Sequence, residues 1–473
     1  MKNIKQTTPK DTVAVSKQRS YSEIVEFLDA NWTTNTNDTT LQCIKKLDQA
    51  FGSIAQKTNA ILVAGTNGKS LTIHFAAKLL KQEGLTVGAF YAPHILTYNE
   101  LFSLNSELIS NKTFTEVGNE VINTAQTIGV TPNSLDILTM MALLYFKNSN
   151  CDVAVLEVSK DGAHNPVNIC NPKIAAITRL TSDESIENED AIVAKAIEEL
   201  TGIVKTGTHV VCADQSKLSL QDMAVIVENK GGIWSMPIRK LAALAYPFEQ
   251  LHGRCAALAE RIAQIYVNLV INRESIIVSG SLLTKQKGQR GRPTIEAKRQ
   301  SELNPRKTIE QFWKDEQSSL SGRFQLLDKE KPTILLDNAS NLDAFKNLLL
   351  GIRLLHYKKP LKGLTLIIGC TNPNLNVDEF LKLLRYFFKK TSGQVIVYPV
   401  DLMPGHNGEQ NLDVEKITNS IKSMQIKAKS SKNFKEAFEA AQKTVDERQG
   451  LVVVTGSSSA VAEYWKYKGI KKL

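Results

Sequence analysis

The segment ILVAGTNGKSLTIHF, residues 61–75, joins an apolar run to a glycine-containing turn and then to a helical pattern. The run AILVA at 60–64 predicts a buried strand, and residues 70–83 predict the following helix, which Gly84 ends. In such an arrangement the backbone N–H groups of the turn and the amino end of the helix face an anion. The segment therefore predicts a phosphate-binding loop.

The loop supplies its own candidate contacts. Gly65 and Gly68 allow the chain to approach a phosphate closely, Lys69 can reach the outer phosphates as a point charge, and the hydroxyl of Ser70 can approach Mg²⁺. The spacing departs from G-x-x-x-x-G-K-[ST], because residue 63 is Val. The alternative is a glycine-rich strand-to-helix turn with a surface lysine.

Strand and helix patterns alternate along most of the chain. Further strands are predicted at 85–91, 151–158, 173–178 and 208–213, and a second alternating series runs from 332–338 to 451–457. Alternation of this kind is typical of parallel sheets covered by helices. We predict an α/β fold of two domains, in which a mostly parallel sheet carries the phosphate loop and a smaller α/β domain follows at the C-terminal end.

The expected domain organisation follows from the gap between the two series. Residues 1–20 are predicted to form a flexible tail, 21–284 the ATP-binding domain, 285–318 a basic linker, and 319–473 the C-terminal domain. Glu157 ends a predicted buried strand, at the sheet edge where α/β proteins bind ligands. A metal ligand and a structural carboxylate are both compatible with that position.

Composition narrows the function classes. The 473 residues carry a formal net charge of +10, and residues 285–307 hold eight Lys or Arg against two Glu without interleaved aromatics. A solvated linker is therefore favoured over a nucleic-acid contact. The six cysteines show no metal-site spacing, no run of eighteen apolar residues occurs, and the polar N-terminus does not resemble a secretory signal. A cytoplasmic protein with reduced thiols is expected.

Several segments, in order along the chain, resemble the Mur ligase superfamily and most closely folylpolyglutamate synthases. They are VAGTNGKS at 63–70, GAFYAPHILTYNE at 88–100, ELTGIVKTGTHVV at 199–211, SGRFQLL at 321–327, ILLDNASN at 334–341 and VVVTGSSSAVAEYW at 452–465. The resemblance implies an α/β fold with a P-loop-type central ATPase domain, built on a mostly parallel sheet, plus a smaller Rossmann-like α/β C-terminal domain. It also implies the activity of an ATP-dependent amide ligase. Such an enzyme phosphorylates a carboxylate acceptor, a folate by resemblance, and lets the amino group of glutamate attack the acyl phosphate.

The resemblance also implies roles for individual residues. The nucleotide contacts carried over are Gly65, Thr66, Asn67, Gly68, Lys69, Ser70, Arg323 and Asn341. The catalytic set is Lys69, Glu157 and Asp337, and the metal ligands are Glu157, Ser70 and Glu184, which replaces a family histidine. The implied cofactors are ATP and Mg²⁺. We expect the protein to be a monomer, with no membrane or nucleic-acid partner.

The sequence departs from the family at several contact positions. The replacements are Ala92 for a metal-binding serine, Leu200 for a carbamylated lysine, Cys255, Ala256 and Ala259 in a nucleotide-contacting segment, and Ser340 for a histidine. They leave an alternative open, in which the chain is a catalytically degenerate nucleotide-binding or scaffold protein of the same fold. The orientation of Glu184 should distinguish the two alternatives. A side chain directed toward Glu157 and Lys69 would indicate a rebuilt metal site, and one directed toward solvent would favour the degenerate protein.

Overall fold

Two β-sheets, one in each half, carry the fold in the part of the chain that the structure describes. The computed structural model describes residues 17–33, 37–159, 162–181, 189–213, 215–273, 275–277, 309–315, 320–404 and 409–473.

The first sheet has eight strands in the order β4-β3-β2-β5-β1-β6-β7-β8. Its strands are β1 Ala60–Ala64, β2 Val87–Phe90, β3 Phe102–Leu104, β4 Glu107–Leu108, β5 Val153–Glu157, β6 Pro172–Ile177, β7 His209–Cys212 and β8 Ile233–Trp234. The run from β2 to β8 is parallel, whereas β3 and β4 add an antiparallel hairpin at one edge.

The second sheet has six strands in the order β13-β12-β11-β14-β10-β9. Its strands are β9 Gln325–Leu327, β10 Thr333–Leu336, β11 Leu364–Ile368, β12 Gln394–Val397, β13 Lys427–Ser430 and β14 Leu451–Thr455. Only β9 runs antiparallel to its neighbour. The side chains of the edge strand β13 alternate between exposed and half-buried, with Lys427 and Lys429 on the exposed face.

Helices cover both faces of each sheet. Those of the first half are α1 Tyr21–Ala30, α2 Asp38–Ala50, α3 Ile54–Lys57, α4 Lys69–Gln82, α5 Asn111–Thr127, α6 Ser134–Asn148, α7 Glu189–Thr201, α8 Lys217–Asn229, α9 Phe248–Ile265 and α10 Ile309–Asp315. Those of the second half are α11 Leu342–Lys358, α12 Val377–Phe388, α13 Val414–Ser423, α14 Phe434–Gln442 and α15 Ser458–Tyr467. Short 3₁₀ segments occur at Tyr98–Leu101 and Pro166–Ile169, and a π-helical turn, Tyr266–Val270, continues α9.

The all-apolar sequence of β1 is explained by its central position. Ala60, Leu62 and Ala64 pack into the core beneath α5 and α6, while Ile61 and Val63 pack into the core beneath α4 and α9. A strand buried on both faces cannot alternate apolar and polar residues, which is why it reads as a continuous hydrophobic run. The predicted fold class is confirmed.

The segment before the second sheet is partly packed. Trp313 of α10 makes an edge-to-face contact with Phe75 of α4, with the ring centroids 5.2 Å apart, and its indole N–H donates to Glu260 on α9 at 2.7 Å. The predicted linker, 285–318, thus includes a helix that packs on the first half of the chain. The basic stretch 285–307 lies outside the described residues, and the domain boundaries stay a prediction. Among the described helices, none combines the length and apolar character needed to cross a membrane.

Candidate functional site

The loop between β1 and α4 is shaped by two glycines. Gly65 has a φ of +136°, and a Cβ there would lie 2.0 Å from Oγ1 of Thr178, the residue that follows β6. Gly68 has a φ of +87°, and a Cβ there would lie 2.8 Å from Sγ of Cys255 on α9. The loop therefore requires glycine at both positions, for the backbone conformation and for the close approach of its neighbours.

A buried carboxylate lies against the start of α4. Glu157 ends β5 in register with Val63, so strand pairing brings its side chain beside the loop. Ser70 donates its hydroxyl to Oε2 of Glu157 at 2.9 Å, and Lys69 Nζ lies 3.9 Å from Oε1. Burial raises the pKa of Glu157 above its usual value, an effect that Lys69 and Arg323 oppose. Lys69 also donates to the carbonyl of Gly65 at 2.9 Å, which folds its side chain back over the loop.

The second half of the chain completes the site with Arg323 and Asp337. Arg323 precedes β9, and its Nη2 donates to Oγ of Ser70 at 3.3 Å. Asp337 follows β10 and accepts the backbone N–H groups of Phe324 and Ala339 at 2.8 and 2.9 Å, which fixes its carboxylate. Burial raises the pKa of Asp337 to about 6. Residues separated by more than 250 positions thus meet around Ser70.

A polar contact joins the two halves directly at the loop. Asn67 and Asn341 exchange two amide hydrogen bonds, at 3.0 and 2.9 Å. Asn67 also donates to Oδ2 of Asp343 at 3.0 Å, and Arg179 pairs with Oδ1 of the same carboxylate at 3.0 Å. We call these four residues the interdomain clamp.

A cavity of about 810 Å³ opens between the two halves beside these groups. Its walls include the loop, Glu157, Arg323, Asp337, Asn341, and the α9 residues His252, Arg254 and Cys255. Its volume lies within the range of sites for small organic ligands. Of the eight predicted nucleotide contacts, all but Gly65 line this cavity.

The α9 wall of the cavity differs from what the family resemblance implies. Ala256 and Ala259 are fully buried in the core beneath the sheet, so only Cys255 of the three replaced residues reaches the cavity. Burial raises the pKa of the Cys255 thiol to about 11 and lowers that of His252 to about 4. At neutral pH this wall is therefore uncharged at both positions.

The other replaced positions that the structure describes are Ala92, Leu200 and Ser340. Ala92 donates its backbone N–H to Glu157 at 3.3 Å, Leu200 packs against the first core, and Ser340 lines the cavity. Leu200 therefore offers no charge where the family carries a modified lysine. Glu184, the predicted third metal ligand, lies outside the described residues.

The donor set fits a hard divalent cation. The hydroxyl of Ser70 and the carboxylate of Glu157 converge at 2.9 Å, and both are oxygen ligands. Mg²⁺ is commonly held by one or two carboxylates together with phosphate oxygens and water. No cluster of three or more His, Cys, Asp or Glu side chains suited to a metal is found in the part of the chain that the structure describes. A cation here would therefore depend on the bound phosphates for most of its ligands.

Two members of the clamp, Arg179 and Asp343, are absent from the sequence-based prediction. Arg179 stands in the segment ITRLTSDE, at a position where the family has an asparagine. This replacement of a neutral residue by a charged one was the sequence feature that could have indicated an ion pair here. Asp343 gives no local signal, because its partners lie more than 160 residues away.

Comparison with known proteins supports the resemblance in both halves. Residues 63–238 match the Mur ligase middle domain, and residues 321–465 match the dihydrofolate synthetase C-terminal domain. A dihydrofolate synthase/folylpolyglutamate synthase from Bacillus subtilis is 30% identical over 226 residues, which cover 46% of this chain and 48% of that protein. The chain thus spans about half the length of this curated relative.

Solved structures extend the likeness over nearly the whole chain. A Mycobacterium tuberculosis folylpolyglutamate synthase complexed with ADP has a TM-score of 0.73 at 18% identity, covering 95% of this chain and 98% of its own. A bifunctional folylpolyglutamate synthase/dihydrofolate synthase from Yersinia pestis, complexed with AMPPNP and a Mn ion, has a TM-score of 0.69 at 18% identity, covering 98% and 100%. At this identity the structures confirm the fold, and with the domain matches they confirm the resemblance that the motifs indicate.

Proposed function

Because the chain joins a segment matching the Mur ligase middle domain to one matching the dihydrofolate synthetase C-terminal domain, we propose that it is an ATP-dependent carbon–nitrogen ligase. Its proposed substrates are ATP, a folate-type carboxylate and glutamate. The observation that carries the proposal is the convergence of Lys69, Ser70, Glu157 and Arg323 in one cleft between the halves.

The reaction would proceed in two steps. A carboxylate oxygen of the acceptor attacks the γ-phosphorus of ATP, the bond to the β-phosphate oxygen breaks, and an acyl phosphate and ADP form. The amino nitrogen of glutamate then attacks the acyl carbon, phosphate leaves, and the nitrogen loses a proton as the amide forms. Phosphoryl transfer of this kind relies on positioning and charge stabilisation.

The residues at the cleft have distinct proposed tasks. The loop N–H groups hold the β-phosphate region, Lys69 would exchange its loop carbonyl partners for phosphate oxygens, and Arg323 brings a second positive charge from the other half. Glu157 and Ser70 would hold a divalent cation, proposed to be Mg²⁺, which supplies charge neutralisation during transfer. Asp337, held by two backbone N–H groups, keeps a carboxyl group near Arg323. Enclosure between the halves would protect the acyl phosphate from hydrolysis.

The proposal extends to the setting of the enzyme. We expect a monomer in the cytoplasm, as the sequence suggests. The relative complexed with AMPPNP and Mn supports a metal-bound nucleotide here, and the names of the relatives support a folate-type acceptor and glutamate.

Nucleotide binding by calorimetry, with and without Mg²⁺, tests the first half of the proposal. The Lys69→Ala variant is expected to bind ATP at least tenfold more weakly, because it loses a charge-assisted contact worth about 1.5–3 kcal/mol. Lys81→Ala, an exposed lysine three turns further along α4, is the matched control and is expected to bind normally.

Release of ADP on addition of a folate and glutamate tests the second half. Turnover that requires all three substrates would support the ligase. Tight Mg²⁺-dependent ATP binding without turnover across folate-type acceptors would instead support the catalytically degenerate alternative. Absence of binding at millimolar ATP would contradict both.

A further inference from the structure

The C-terminal half carries a second, larger depression that the proposed ligase chemistry does not use. It has a volume of about 1250 Å³ and is lined by five cationic side chains. We call it the basic groove, and its cations are Lys382, Arg385, Lys389, Lys390 and Lys427.

The basic groove and the cleft lie at opposite ends of the strands of the second sheet. Its walls include Leu364, Gln394 and Lys427, which begin β11, β12 and β13. Asp337 and Ser458, which line the cleft, follow the carboxyl ends of β10 and β14. No residue that the structure describes lines both depressions, so a ligand in the groove would leave the nucleotide site free.

The charge of the groove is poorly compensated by the protein itself. Among the described residues that line it, none is Asp or Glu. Lys382 pairs with Glu379 at 2.7 Å, whereas in the described parts of the chain no carboxylate lies within 4.0 Å of the charged groups of Arg385, Lys389, Lys390 or Lys427. Clustered like charges repel one another, and an anionic partner would relieve that repulsion.

The groove also offers apolar and aromatic surface. Phe388 lines the groove with part of its side chain exposed, and Tyr386 stands at its side with 56% of its surface exposed. Leu364 and Ile426 lie beneath them and are nearly buried. The Cζ atom of Arg353 lies 5.0 Å and the Nζ atom of Lys390 lies 5.2 Å from the centre of the Tyr386 ring. A purely acidic peptide would satisfy the cations and leave this surface uncovered, whereas a nucleic acid carries both phosphates and flat bases.

We propose that the basic groove binds single-stranded nucleic acid. The phosphates contact Lys389, Lys390 and Lys427, and a base packs on Tyr386 and on the exposed part of Phe388. The volume exceeds that of typical small-ligand pockets, which accords with a segment of several nucleotides. The expectation of no nucleic-acid partner came from the aromatic-free stretch 285–307, a different part of the chain.

Fluorescence anisotropy of a labelled twelve-nucleotide oligomer, titrated with the full chain at several salt concentrations, tests the proposal. The triple variant Lys389→Gln, Lys390→Gln, Lys427→Gln is expected to bind at least tenfold more weakly at low salt. Each lost phosphate contact should reduce the slope of log affinity against log salt by about 0.7, so the slope should fall by about 2. Calorimetric ATP binding should not change, which separates this result from a failure of the ligase proposal.

A matched control removes the same charge elsewhere. Lys112, Lys173 and Lys217 are exposed lysines of the first half, and their triple replacement by Gln should leave oligomer affinity within about twofold of wild type. Equal weakening in both triple variants would assign the binding to net charge and overturn the proposal. Normal binding by the groove variant, or none by the wild type, would overturn it as well.

A second variant distinguishes nucleic acid from an acidic peptide. Tyr386→Ala should weaken oligomer binding about fivefold without changing the salt slope, because a stacked base is lost and no phosphate contact is. If poly-glutamate displaces the oligomer at equal charge concentration and Tyr386→Ala has no effect, the partner is an acidic peptide and the nucleic-acid assignment is wrong. Should the triple variant unfold, Lys389→Gln alone is measured, with an expected slope change of about 0.7.

Discussion

Removing Asp343 should open the cleft, because this carboxylate joins both halves of the chain at the phosphate loop. Its Oδ2 accepts a hydrogen bond from Asn67 and its Oδ1 pairs with Arg179, both at 3.0 Å. A hydrogen bond to a charged acceptor contributes about 1.5–3 kcal/mol, and an ion pair to a half-exposed arginine about 0.2–1 kcal/mol. Asp343→Ala is therefore expected to shift the closed–open equilibrium by about 1.7–4 kcal/mol, or roughly 20- to 900-fold.

Two measurements on purified protein report this shift. Small-angle X-ray scattering of the ligand-free variant should show a larger radius of gyration than the wild type. If the nucleotide binds the closed arrangement, its apparent dissociation constant should rise as the closed population falls, by at least tenfold when the wild type populates the two arrangements about equally. A double-mutant cycle with Asn67→Ala isolates the contribution of their shared hydrogen bond.

The control for Asp343→Ala is Asp378→Ala. Asp378 is also an acidic residue in the first turn of a helix of the C-terminal half, so both changes remove the same favourable interaction with a helix amino end. Asp378 is exposed and lies outside the clamp. Unchanged scattering and unchanged nucleotide affinity for Asp343→Ala, with a normally folded protein, would refute the assignment of the clamp.

Three further changes test the site and the core. Gly65→Ala should abolish nucleotide binding and lower the thermal midpoint of unfolding, because the added Cβ would lie 2.0 Å from the Thr178 hydroxyl. Gly84→Ala, which has open space around the added Cβ, should keep nucleotide binding, and retained binding by Gly65→Ala would contradict the close approach to Thr178. Ser70→Ala should weaken Mg²⁺ binding about 10- to 100-fold and leave metal-free nucleotide binding unchanged, and calorimetry with an unaltered metal dependence would exclude its role. Burial raises the pKa of Glu463 to about 7, so the native state binds more protons than the unfolded state between about pH 4.5 and 7. Stability should therefore fall as pH rises across that range and level off above it, whereas Glu463→Gln should lack this fall; parallel denaturation profiles of the two proteins from pH 4.5 to 8 would disprove it.

The elements around the phosphate loop were predictable because their signals are local. The run 60–64 became β1 at Ala60–Ala64, and the helix predicted at 70–83 became α4 at Lys69–Gln82. The position of Glu157 at the carboxyl end of a strand could be predicted because this residue ends a local apolar run. The predicted fold class is confirmed for these reasons.

Other features depend on pairings that no local pattern encodes. The edge hairpin β3–β4 is made of strands only three and two residues long, too short for a reliable period-2 pattern. The exchange of hydrogen bonds between Asn67 and Asn341 joins positions 274 residues apart, so it requires the packing of the two halves. The same holds for Arg179 and Asp343, whose pairing is a property of the assembled cleft.

The edges of the two sheets have a consequence for behaviour at high concentration. Unpaired strand edges tend to recruit strands from other molecules, and short strands or outward-pointing lysines suppress such pairing. The first sheet ends at β4 and β8, each two residues long, and the second ends on one side at β13 with Lys427 and Lys429 exposed. Lys427 would therefore both contact a bound polyanion and act as a gatekeeper against aggregation, so its loss should affect storage stability as well as binding.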